Sequence, residues 1–295
     1  LVSLRLAGLD GDTTTYARAM KADALNLYYL REPLFWLSQR ALFDLTSSEL
    51  LVFIIWDCLI VIAVFTATRN LEGAPYAAAI FLVSFPSILG FANVYRQFSA
   101  LVVLILGLSC VSRGAFLRGT IIAILASLFH NAIASLLPLL AISWLSRVKE
   151  KEVYLPIYTA LLAFSASAIY FGLELESGRQ TGFYQTEYLY LLITVVFFLG
   201  NAWLKKYASY PRLRNSFLPS AHLTYLLIAQ VTVIVFGASS AAERFGSLVL
   251  QLTALTLLFT LASSSSRYRH ALRVMVSVVI IAPIFLPPIN RFIGL

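Results

Sequence analysis

The feature that most constrains this chain is a succession of apolar runs, each close to the roughly 20 residues a helix needs to cross a bilayer. They lie near 50–68, 74–91, 93–112, 152–172, 186–204, 218–237, 246–262 and 272–289, and they predict about eight full transmembrane helices. In hydrocarbon every backbone polar group must be satisfied within its own segment, so the expected fold class is an all-α polytopic membrane protein. With 60% apolar and only 12% charged residues among 295, the chain has too little polar surface for a soluble domain. Residues 1–295 read as a single transmembrane domain. The chain starts at Leu1 within an apolar stretch, and a further transmembrane helix is expected upstream.

A formal net charge of +8 would suit nucleic acid if it covered one face. It does not. The basic residues occupy short loops between apolar runs: Arg113 to Arg118, Arg147 to Lys151, Lys205 to Arg214 and Arg267 to Arg273. That distribution sets membrane orientation, with these loops inside, and implies no nucleic-acid partner. Cys58 and Cys110 both sit in apolar runs and indicate neither a disulfide framework nor a CxxC metal site.

Segment 119–146 is long for one crossing, carries His130 and Asn131 at its middle and contains Pro138. Basic loops flank it on both sides, and both cannot be cytoplasmic if it crosses once. A re-entrant helical hairpin with His130 at its outer tip resolves the conflict; one long tilted helix is the alternative. Residues 1–49 then form an outer-face segment, with an interfacial helix over 33–45 opened by Pro33. This count brings Asp10, Asp12, Glu32, Arg96, His130 and Arg244 to one side, where they line an outward-facing polar cavity. Charges in or beside hydrocarbon cost a few kcal/mol each, so such a cluster reads as a functional site.

Each candidate has a plainer reading. Asp10 and Asp12 form a D-x-D pair that hard cations favour. A calcium loop, however, would want Gly and Glu where Thr15 and Lys21 stand, and Asp12 or a nearby Thr can simply cap a helix running through Tyr16. Glu32 precedes a helix start, where the dipole favours a carboxylate; desolvated in a cavity, it would instead suit acid–base chemistry. Arg96 can snorkel to the membrane surface. Paired with Arg244, it would bind a phosphate or pyrophosphate bidentately, with Arg5 and Arg179 as possible further members. His130 is either a hydrogen-bonded structural residue or a base. Asp57, inside its apolar run, is expected to pair with a polar group on a neighbouring helix. No HExxH, GxSxG or phosphate-loop pattern occurs. A Cys110–His130 pairing is discounted because the two fall on opposite sides.

Several of these islands, in their order, resemble the Wzy/EpsG-like family of bacterial polysaccharide polymerases. They are Arg5…Gly8-x-Asp10…Tyr16, Glu32-Pro33-Leu34-Phe35, Tyr95-Arg96-Gln97-Phe98-Ser99-Ala100, Ala126-Ser127-Leu128-Phe129-His130-Asn131-Ala132 and Arg244-Phe245. The similarity is dense over residues 5–145 and thin beyond, where Arg244 alone carries it. Asn131 stands where Ser or a branched apolar residue is usual, and Phe245-Gly246 replaces a more tyrosine-rich ending.

The resemblance implies a GT-C-like membrane glycosyltransferase of the bacterial inner membrane, with its site facing the periplasm or exterior. It would join undecaprenyl-pyrophosphate-linked oligosaccharide repeats into a polysaccharide, with no cofactor and no metal. His130, Asp10 or Glu32 would carry the acid–base chemistry, and Arg96, Arg244 and Arg5 would hold the pyrophosphate. Asp12, Tyr16, Tyr95, Gln97 and Asn131 would make further substrate contacts. The partners implied are the lipid-linked substrate, membrane lipids and a chain-length regulator. The alternatives are a flippase for lipid-linked oligosaccharide, an O-antigen ligase and a membrane acyltransferase.

Overall fold

The computed structural model describes residues 11–22, 31–92, 94–145, 159–164, 186–207, 218, 220–236, 239–263, 270, 273–274 and 276–277. Every regular element among them is helical. In chain order these are α1 (Gly11–Lys21), α2 (Pro33–Thr46), α3 (Glu49–Asn70), α4 (Pro75–Leu82), α5 (Phe85–Ala92), α6 (Tyr95–Ser112) and α7 (Phe116–Phe129). A 3-10 turn over Asn131–Leu136 follows, then α8 (Pro138–Leu145), α9 (Thr186–Tyr207), α10 (Ser220–Phe236) and α11 (Ser239–Ser263).

Four stretches are long and apolar enough to cross a membrane: Glu49–Asn70, Tyr95–Ser112, Thr186–Leu204 and Ala241–Ala262. They agree closely with four of the eight expected spans. α10 matches the expected span 218–237 but is shorter. Of the expected span 152–172 only residues 159–164 are described, and they are helical; 272–289 lies almost wholly outside the described residues. The expected span 74–91 is two eight-residue helices instead. Pro86 explains the break: it lacks an N–H, and its ring would meet the carbonyl of Leu82, the last residue of α4. Segment 119–146 is likewise not one long helix. It is interrupted at His130, whose backbone is extended at φ −156 and ψ 124. A helix is present over the expected 33–45 region, as α2.

Two helices form the core. The apolar window of α11 is 94% buried and that of α6 78%, whereas those of α3 and α9 are 33% buried and lie at the periphery. On α9 the exposed residues Leu192, Val196, Leu199 and Trp203 recur at helical spacing, a continuous apolar stripe suited to lipid. α3 shows the same with Leu59, Ile62 and Phe65.

Polar contacts fix helix directions. Asp57 of α3 accepts a hydrogen bond from Tyr95 at the start of α6, and Asn70 at the end of α3 binds Ser109 and Arg113 at the end of α6. The two helices are therefore parallel, which requires α4 and α5 to return between them. α7 runs back along α6, and this is the most extensive helix pair in the molecule. The turn between them is closed by Gly114 at φ 95, a left-handed conformation in which other residues are strained.

α6 and α7 cross where Gly107 meets Gly119. A Cβ on Gly107 would lie 2.8 Å from the Gly119 carbonyl oxygen, and one on Gly119 would lie 2.6 Å from the Gly107 oxygen. Helices without a hydrophobic driving force between them rely on such close approach of small residues. We therefore expect Gly119→Val to push α7 off α6, destabilising the protein by ~2 kcal/mol or more, read as a fall in the melting temperature of detergent-purified protein. An exposed control, Ile121→Val, should leave it unchanged.

Candidate functional site

The site is built where α2, α6 and α7 meet at one end of the bundle. α2 opens with Pro33 at its first position, which places Glu32 immediately before the helix. Its carboxylate forms no capping hydrogen bond with that helix. It crosses instead to Arg96, the second residue of α6, and makes an ion pair with the guanidinium. The Glu32 side chain is 2% exposed and that of Arg96 17%, so neither snorkels into water. The Glu32 carboxylate thus makes a cross-helix contact and does not cap its own helix.

Aromatic rings hold the guanidinium in place. Arg96 lies 5.3 Å from the centre of the Trp36 ring and 5.8 Å from that of Tyr16, both within cation–π range. Tyr16, Phe35 and Trp36 pack edge to face around it. Trp36 follows Glu32 by four residues and donates its backbone N–H to the Glu32 carbonyl, so the two stand one turn apart at the head of α2. This spacing was the available signal for a residue that sequence reasoning missed.

His130 enters from the break after α7. It is buried, and its Nε2 lies 3.6 Å from Glu32 Oε1, too far for a hydrogen bond but close enough for the charge to orient the ring. Its Nδ1 is 3.1 Å from the backbone nitrogen of Ala132. A backbone nitrogen can only donate, so Nδ1 accepts and carries no proton. The imidazole is therefore neutral, with its hydrogen on Nε2, the nitrogen nearer the carboxylate. The same contact caps the 3-10 turn, which is the hydrogen-bonded structural role open to this residue.

Arg244 belongs to the second turn of α11, because the helix starts at Ser239, ahead of the expected span 246–262. Its backbone oxygen accepts a hydrogen bond of 2.5 Å from Gln97 Nε2, which ties α11 to the residue beside Arg96. The positive charges of Arg96 and Arg244 both bear on the His130 ring. Gln97 is also 3.4 Å from Ser247 Oγ, so its amide is engaged between helices.

The remaining candidates divide. Tyr16 lies beneath Arg96, whereas Tyr95 turns away from it, fully buried, to donate its hydroxyl to Asp57 Oδ1 at 2.9 Å. Asp57 thus has the neighbouring-helix partner its apolar setting demanded. Asn131, half-buried, opens the 3-10 turn directly after His130. Asp12 lies in the first turn of α1, with its side chain outside the described residues. Arg5, Asp10 and Arg179 also lie outside them. Among the described residues no group of three His, Cys, Asp or Glu could hold a metal. Cys110 neighbours Asn70 at the far end of α6, roughly 21 Å along the helix from Arg96, so it cannot join His130 in one site.

In chemical terms the arrangement offers a carboxylate, a neutral imidazole and two guanidinium groups, in a setting walled by aromatic rings. Such a set can bind an oxyanion through the arginines and move a proton through the carboxylate or imidazole.

A model of a known protein family, described as the EpsG family, matches residues 1–289. No curated protein and no solved structure matches the chain.

The Tyr95–Asp57 bond supports the site from behind. We expect Tyr95→Phe, which removes this donor from a buried carboxylate, to destabilise the protein by about 1–3 kcal/mol, measured by thermal unfolding in detergent. Asp57→Asn keeps an acceptor for the hydroxyl and should cost less.

Proposed function

We propose, since the chain belongs to the EpsG family, that it is a membrane glycosyltransferase that polymerises undecaprenyl-pyrophosphate-linked oligosaccharide repeats. The growing chain leaves its lipid pyrophosphate and is joined to a hydroxyl of the incoming lipid-linked unit. The observation that carries this reading is the meeting of Glu32, from just before α2, Arg96, from the start of α6, and His130, from the break after α7, bordered by Arg244. A sugar pyrophosphate is already an activated donor. The enzyme then needs mainly a base for the acceptor hydroxyl and cations for the leaving pyrophosphate, and this site holds both kinds of group.

In this reading Arg96 and Arg244 hold the pyrophosphate, with Arg5 as a further contact. Glu32, His130 and Asp10 are the candidates for proton transfer. Tyr16, Asp12, Gln97 and Asn131 border the substrate; Tyr95 contributes by setting the direction of α6. The site faces the periplasm or exterior, and the basic loops face the cytoplasm. The chain has about eight spans, and residues 119–146 dip in and return with His130 at the outer tip. Three contacts support that hairpin: His130 beside Glu32 at one end of α6, Tyr225 donating to the Ser135 oxygen at 3.0 Å, and His222 Nε2 2.8 Å from Ser143 Oγ further along α8. Positions 135 to 143 thus descend α10 as its numbering falls.

Purified protein in liposomes, given its cognate lipid-pyrophosphate-linked repeat, should yield a ladder of polysaccharide on a gel. Arg96→Ala and His130→Ala should each lower the rate by about 100-fold or more, the usual effect of removing a group that acts on developing charge or a moving proton. Movement of the lipid across the bilayer without a ladder would make the protein a flippase instead.

A further inference from the structure

We infer that Glu32 is the base of the transfer and that Arg96 keeps it masked until the donor's pyrophosphate draws the guanidinium away; this rests on the polymerase reading above. Three observations converge. First, His130 cannot be the base in the arrangement seen. Its Nδ1 lone pair is taken by the Ala132 N–H, and its Nε2, the nitrogen nearer Glu32, carries the hydrogen. Second, the Glu32 carboxylate is buried, makes no helix cap and is committed to Arg96. Third, Arg96 is the more exposed member of the ion pair, at 17% against 2%, and its guanidinium lies against the Trp36 and Tyr16 rings. An anion that reaches the pair therefore meets the arginine before the carboxylate.

A pyrophosphate is multiply charged and offers several oxygens to the planar fork, so it competes well with a single carboxylate for the same N–H donors. Once Arg96 turns to the phosphate oxygens, Glu32 no longer shares its charge with that guanidinium, and its affinity for a proton rises. His130 Nε2–H, already near Oε1, is placed to steady the released carboxylate. The base becomes active only when the donor is bound.

The transfer then balances. The acceptor hydroxyl gives its proton to Glu32, and its oxygen bonds to the anomeric carbon. The bond from that carbon to the pyrophosphate oxygen breaks, and both electrons leave on the lipid pyrophosphate, whose charge Arg96 and Arg244 hold. The proton passes from Glu32 to an oxygen of the departing lipid pyrophosphate, and the ion pair with Arg96 re-forms.

The test is equilibrium binding of sugar-free undecaprenyl pyrophosphate to the full chain in detergent, beside the polymerisation assay. Glu32→Gln removes the competing charge. It should bind the probe about tenfold tighter than native protein while losing polymerisation. Glu32→Asp, which withdraws the charge by one methylene, guards against a misfolded Gln variant and should also bind more tightly than native. If native protein binds the probe, Arg96→Ala does not, and neither Glu32 variant gains affinity, masking is wrong while the polymerase reading stands. If native protein does not bind the probe, or Arg96→Ala binds it equally well, the polymerase assignment of Arg96 fails and the inference falls with it.

Discussion

The ion pair between Glu32 and Arg96 is the interaction on which the rest of the site depends. Two charges removed from water in apolar surroundings lose several kcal/mol of hydration each, and only close mutual contact with good geometry compensates. This pair also joins the chain at the head of α2 to α6, one of the two most buried helices. Loss of either partner alone would leave an uncompensated buried charge, which is far costlier than loss of both. The aromatic wall of Tyr16, Phe35 and Trp36 completes the arrangement by excluding water from one side and offering ring faces to the guanidinium.

α6 is the element that makes this possible. Its two ends are pinned to α3, by Tyr95 on Asp57 at the site and by Ser109 and Arg113 on Asn70 at the other end. Its middle is pressed against α7 through facing glycines. A helix held at both ends and at its centre has little freedom to rotate. Arg96 and Gln97 are thereby aimed in fixed directions, one at Glu32 and the other at the backbone of Arg244. Tertiary packing around an apolar scaffold thus determines where two polar side chains point.

The sequence made the helical class legible because the bilayer leaves so few alternatives, and the length of apolar runs is a direct consequence of membrane thickness. It also made the charged islands legible, since a charge that survives in such a chain has a reason to be there. What it left hidden depended on side-chain direction. Glu32 could have capped its helix or crossed to another, and only the meeting of α2 with α6 decides. Tyr95 stands next to Arg96, yet adjacent helical residues do not share a face, and its hydroxyl goes to Asp57. The division of the 74–91 run was readable in principle from Pro86, but an unbroken hydropathy obscured it. The expected span 246–262 begins after Arg244 because polar Ser239, Ser240 and Glu243 resemble a loop, whereas α11 simply extends past the apolar region.

The capping contact at His130 has a wider consequence. One nitrogen of the ring terminates a change in chain direction while the other faces the carboxylate. The geometry of the bend and the orientation of a candidate reactive group are thus a single degree of freedom. Any movement that lifts the 3-10 turn must also rotate the imidazole away from Glu32. Residues in that turn, though remote from the chemistry, are bound to the same constraint. Position 130 must satisfy two demands at once, one on hydrogen bonding to the backbone and one on charge, and few side chains other than histidine have two separate nitrogens to offer.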